Sequence, residues 1–67
     1  MKLAERLKSL RLEKKLKQEE VAKSLKIAVR SYCRYEYGER EPNASLLWRM
    51  ADLFGVTIDY LVGRTDS

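Results

Sequence analysis

Apolar residues recur along the chain at three- and four-residue intervals and rarely alternate, which is the pattern of helices rather than strands. Leu3, Leu7 and Leu10 form one stripe, extended by the stem of Lys14, and predict a first helix over roughly residues 2–14. Lys14 and Lys15 close it, where positive charge suits the negative end of the helix dipole, and Leu16 is expected to drop into the core. Val21, Ala22 and Leu25 share one face of a second helix that runs to about Leu25. Lys17 precedes it and caps poorly, with Glu19 and Glu20 in the first turn as partial compensation. Ile27 sits in the connector, and Tyr32 and Tyr35 mark the inner face of a third helix from near Val29 to Gly38. Asn43 caps a fourth, Ala44 to Phe54, with Leu46, Leu47, Met50, Ala51 and Phe54 turned inward and Gly55 ending it. Thr57 caps a short fifth helix that Gly63 closes. The expected fold is all-α: one compact five-helix orthogonal bundle over residues 1–63, with a short frayed tail at 64–67.

The stretch Gln18–Tyr37 says most about function. Two short helices joined by a turn of three or four residues cross steeply, and Ala22 supplies the small residue needed where they touch. Val29, Arg30, Ser31, Cys33 and Arg34 then face away from that contact. A helix held out from a compact body, carrying a polar face with little negative charge, suits entry into a DNA groove.

Composition narrows the alternatives. Sixty-seven residues make a single domain near the lower limit for folding without a staple. A lone Cys33 and no His exclude an internal disulfide and leave no basis for a Cys/His zinc site. No apolar run approaches the roughly 20 residues of a membrane span, and the amphipathic start MKLAERLKSL is not a signal segment. A cytoplasmic protein in a reducing compartment is expected. Without His, a metal cluster or a glycine-rich phosphate loop, and too small to enclose a pocket, the chain offers no catalytic residue, no cofactor site and no small-molecule site. Residues 1–30 hold ten Lys/Arg against four Glu, net +6, whereas residues 31–67 sum to −2. Charge runs on helices are usually solvated faces; this one gains weight because the helix pair lies in and just after the basic half.

Several residues together resemble the Cro/repressor-type (XRE-like) helix-turn-helix transcriptional regulators of phages and bacteria. They are Leu10-Arg11, Leu16-x-Gln18-x-x-Val21-Ala22, Tyr35-Glu36-x-Gly38, Pro42 and Leu53-Phe54-Gly55-Val56-Thr57-x-Asp59-Tyr60-Leu61. The resemblance spans essentially the whole chain and implies a lambda-repressor-like DNA-binding domain whose helices 2 and 3 form the helix-turn-helix. It implies a phosphate contact for Gln18 at the start of helix 2, where backbone N–H groups can also donate. It places Val29, Arg30 and Arg34 where base edges are read, with Ser31 within reach of a base or a phosphate. Arg30 suits guanine O6 and N7, and Val29 a thymine methyl. Lys17, Lys26, Tyr37 and Arg40 are expected to complete the DNA-facing set. Arg11 and Glu36 match a buried ion pair of the family that ties the first helix to the third, a structural role with no ligand. The chain departs from the pattern at Lys26, where a glycine is usual, at Ala28, which replaces a capping Ser or Thr, and at Val29, which removes a hydrogen-bonding side chain.

Two further residues carry open alternatives. Cys33 is expected on the outer side of helix 3, either as an ordinary small residue or as a thiol whose oxidation would block the groove. Trp48, with Tyr60, Leu61 and Val62, is either a half-buried flank of the core or a dimer interface opposite the DNA. The function expected is a sequence-specific repressor binding double-stranded DNA at a palindromic operator as a homodimer. The alternative is a protein-interaction module of the same fold, antitoxin-like or antirepressor-like, which Ala28 and Val29 favour.

Overall fold

The computed structural model describes residues 1–65; residues 66 and 67 lie outside the described residues. Five helices follow one another: α1 (Leu3–Glu13), α2 (Gln18–Leu25), α3 (Val29–Glu36), α4 (Ala44–Phe54) and α5 (Ile58–Val62). No strand occurs among the described residues. The expected boundaries agree to within one or two residues.

The stripes read from the chain meet in one core. Leu7, Val21, Tyr32, Met50 and Leu61 are wholly enclosed, with Leu3, Leu25, Ala51 and Phe54 around them. Ala22 lies at the α2–α3 contact as a small residue must, 2% exposed. α3 packs against both α1 and α2, α4 supports α2, and α5 closes the bundle against α1 and α4. Leu16 half-enters the core. Lys14 does not: it is exposed, because its place after the last turn of α1 carries it off the Leu3–Leu7–Leu10 stripe.

One closure is repeated at every helix end. The backbone N–H two residues beyond the last turn bonds back across it: Leu16 to Arg11 O, Ile27 to Ala22 O, Glu39 to Arg34 O, Val56 to Ala51 O and Arg64 to Asp59 O. Each closure needs a residue in the left-handed region, where Cβ crowds the carbonyl oxygen. Gly38, Gly55 and Gly63 fill three of these positions, and Lys15 (φ 57°) and Lys26 (φ 59°) the other two. Lys26 thus has the positive φ that its departure from glycine made a matter of strain; Lys15 gave no advance signal. At the other ends, Asn43 Oδ1 accepts from Leu46 N at 2.8 Å and Thr57 Oγ1 accepts from Tyr60 N at 3.0 Å. Glu20 folds back to accept from Lys17 N at 2.8 Å, the compensation expected of it. Ala28 gives α3 no side-chain cap.

The frayed tail needs correction at residues 64 and 65. Arg64 N donates to Asp59 O at 2.8 Å, and Arg6 Nη1 donates to Thr65 O at 2.8 Å and also to Tyr60 O. The Arg6 guanidinium lies 4.1 Å over the Tyr60 ring. The end of α5 is therefore pinned to α1, and Lys2 N adds a bond to Val62 O at 3.1 Å. The remainder of the predicted tail, 66 and 67, lies outside the described residues.

The departures at the helix ends carry a cost that can be recovered. Lys15→Gly and Lys26→Gly are each expected to stabilise the fold by up to about 1 kcal/mol, and Ala28→Ser by about 1 kcal/mol. Urea unfolding midpoints measure all three, and no gain at any position would contradict the strain described.

Candidate nucleic-acid interface

α3 is held from beneath by a polar cluster rather than by apolar packing alone. Arg11 on α1 grips the Glu36 carboxylate with the Nε–Nη2 edge of its guanidinium, Nε to Oε2 at 2.8 Å and Nη2 to Oε1 at 3.0 Å. Its third donor, Nη1, reaches Leu16 O at 2.9 Å in the loop before α2. Gln18 Nε2 donates to Glu36 Oε1 at 3.2 Å, and Cys33 Sγ donates to Gln18 Oε1 at 3.3 Å. Tyr32 brings its enclosed hydroxyl into the same cluster, beside Arg11 and Glu36.

Burial by itself would push the Glu36 carboxyl up. The hydrogen bonds from Arg11 above all, with the nearby Tyr32 hydroxyl and Gln18 adding to them, outweigh burial and hold it below the ordinary carboxylate value. The bond to Glu36 raises the Arg11 guanidinium against the opposing effect of burial. Enclosure chiefly, and the nearby Glu36 charge, raise the Tyr32 hydroxyl well above its usual value. The side-chain faces of Glu36 and Arg11 are 1% and 12% exposed, so this is a buried pair, as the resemblance implied.

The opposite face of α3 is open. Arg30 and Arg34 are exposed one turn apart, and Tyr37, 64% exposed, continues their line at the helix end. Val29 is 43% exposed at the tip, beside the exposed Ala28. Lys17, Lys26 and Arg40 are exposed as well, and Ser31 is half-buried. Lys17, Gln18 and Val29 border one shallow hollow at the start of α2, so the beginnings of α2 and α3 form a single surface.

Several expectations change here. Cys33 is not on the outer face: it is half-buried and bonded to Gln18, because residue 33 lies off the Arg30–Arg34 line and towards α2. The Gln18 side chain turns inward, committing one amide proton to Glu36 and accepting from Cys33. Leu61 is wholly buried and belongs to the core, not to a surface patch. Tyr60 is half-buried under Arg6, and Val62 is half-buried at the end of α5. Trp48, 64% exposed, is no flank of the core. It and Tyr60 line two adjoining hollows that share Val56 and Thr57. Arg49, which nothing in the sequence singled out, donates to Leu25 O and secures the end of α2.

A helix-turn-helix family model matches residues 7–61, the span from Leu7 in α1 to the core leucine of α5. The chain belongs to the helix-turn-helix family. Among helix-turn-helix relatives, an uncharacterized HTH-type transcriptional regulator, YobD of Bacillus subtilis, is 39% identical over 63 residues, covering 94% of this chain and 56% of its own. The HTH-type transcriptional regulator ImmR of the same organism is 33% identical, covering 98% of this chain and 52% of its own. The cryptic phage CTXphi transcriptional repressor RstR of Vibrio cholerae is 32% identical, covering 92% and 56%. A crystal structure of a transcriptional regulator from Listeria innocua superposes with a TM-score of 0.88 at 35% identity, over 97% of this chain and 61% of that one. The chain thus spans about half the length of the curated relatives it matches. These relatives are named as regulators, not as enzymes.

The buried pair makes two predictions. Arg11→Ala strands the Glu36 charge and is expected to cost about 3–5 kcal/mol in chemical denaturation. Because the folded carboxyl lies below its ordinary value of 4.5, its contribution is complete above that pH and is lost as pH falls through the lowered value. Melting temperature should therefore drop in acid for the native chain, with a shallower acid limb in Glu36→Gln; equal limbs would deny Glu36 this role.

Proposed function

We propose that this chain is the DNA-binding unit of a transcriptional repressor, with α3 in the major groove of an operator. The observation that supports it most is the division of α3 itself. Arg30, Arg34 and Tyr37 line the open face, while Tyr32, Tyr35 and Glu36 are locked beneath. Arg30 would read guanine in a bidentate pair and Arg34 a base or phosphate one turn on. Lys17, Lys26 and Arg40, with the N-terminus of α2 and the remaining Gln18 proton, would fix the body on the phosphates. The protein would act in the cytoplasm, without cofactor or small-molecule ligand; no helix among the described residues is long and apolar enough to cross a membrane.

Dimensions favour two copies. The eight residues of α3 make a helix about 12 Å long, enough for a few base pairs. The domain's longest extent is 28 Å, less than the roughly 34 Å between successive major grooves on one DNA face. A homodimer on a palindrome supplies the second reading helix, and the hollows around Trp48, Val56 and Tyr60 are apolar surface available for the pairing.

Selection from random duplexes tests this directly. The expected product is a palindrome with half-sites about one turn apart, bound with a log–log salt slope near −0.9 per phosphate. Arg30→Ala should cost about 1–3 kcal/mol at one base position per half-site, and Lys17→Ala should weaken all sequences alike. Enrichment without symmetry would remove the homodimer; no enrichment at all would favour the protein-interaction module.

A further inference from the structure

The tip of α3 combines two apolar side chains with an arginine. Ala28 and Val29 are both exposed there, no side chain caps the helix, and Arg30 follows at once. A serine at position 28 would cap α3, and a polar residue at 29 would offer a donor to a base edge. The tip has neither. Major-groove edges present acceptors, donors and a single apolar group, the 5-methyl of thymine. Set against a base acceptor or donor, valine strips its water and returns no hydrogen bond. Set against a methyl, it buries apolar surface on both sides.

Resting on the DNA-binding role proposed above, we infer that Val29, flanked by Ala28, is a specificity-determining residue that reads the 5-methyl group of a pyrimidine next to the guanine read by Arg30. Val29 and Arg30 both lie in the first turn of α3, where a helix that enters the groove by its N-terminal end meets the base edges, and a rise of only about 1.5 Å per residue keeps the bases they reach within neighbouring pairs. The recognised group is the methyl itself, not the hydrogen-bonding edge that distinguishes thymine from cytosine. A 5-methylcytosine at this position can stand in for thymine, whereas uracil and unmodified cytosine cannot.

The test starts from the selected operator. Each thymine of a half-site is replaced in turn by deoxyuridine, and Kd is measured by fluorescence anisotropy for the native chain and for Val29→Ala. At one thymine beside a guanine, removing the methyl should weaken the native chain about fourfold, the effect of exposing one methylene-sized group, and leave Val29→Ala unaffected. 5-Methylcytosine at that position should bind tighter than cytosine by a similar factor. Because Val29 is exposed, the variant is expected to fold, and a thermal melt verifies it; Val29→Ser is the substitute if it does not. An operator in which no thymine is methyl-sensitive, or a sensitivity that persists in the Val29 variants, overturns the inference while leaving DNA binding intact. Failure to select any operator overturns the DNA-binding role, and this inference with it.

Discussion

The two-pronged grip of Arg11 on Glu36 is the constraint to which the rest of the molecule is fitted. It joins α1 to α3 across the core, and the third donor of the same guanidinium secures the loop that launches α2. Gln18 and Cys33 extend the grip to the start of α2. Such a pair adds little net stability over an apolar substitute, because desolvation offsets most of the attraction. What it supplies is direction. Apolar contacts tolerate sliding, whereas a planar fork on a carboxylate fixes the rotation of α3 about its own axis.

The short helices need firm ends, and their ends share one solution. Helices of eight residues such as α2 and α3 are too short to persist alone in water, so each is closed by a bond across its last turn and held by its neighbours. Where the closing residue is glycine the closure is unstrained; at Lys15 and Lys26 it costs conformational energy but adds a positive charge at the edge of the helix-turn-helix. The strain lies in the turns on either side of α2, the segments that set where α2 and α3 begin.

Charge counted along the sequence overstates the charge turned outward. Of the basic residues in the first half, Arg6 is stacked on Tyr60 and bonded to the end of α5, and Arg11 is buried against Glu36. Arg49 in the second half is spent on a helix end. The basic surface that remains is narrower than the sum suggests and centres on the exposed lysines around α2 and the two arginines of α3.

Periodicity and capping residues determined the five helices, their order and most of the core, because burial of Leu3, Leu7, Leu10, Tyr32 and Met50 and the needs of helix ends are local and written at fixed spacing. The open face of α3 was legible for the same reason: Arg30 and Arg34 are one turn apart and away from the tyrosines. Only the tertiary structure decided which polar groups meet. That Gln18 turns inward to Cys33 and Glu36, that Leu61 is sealed in the core, that Arg6 binds residues more than fifty positions away and that Arg49 caps α2 all depend on distances between elements. A linear pattern assigns a side chain to a face; it carries no information about what the fold brings opposite that face.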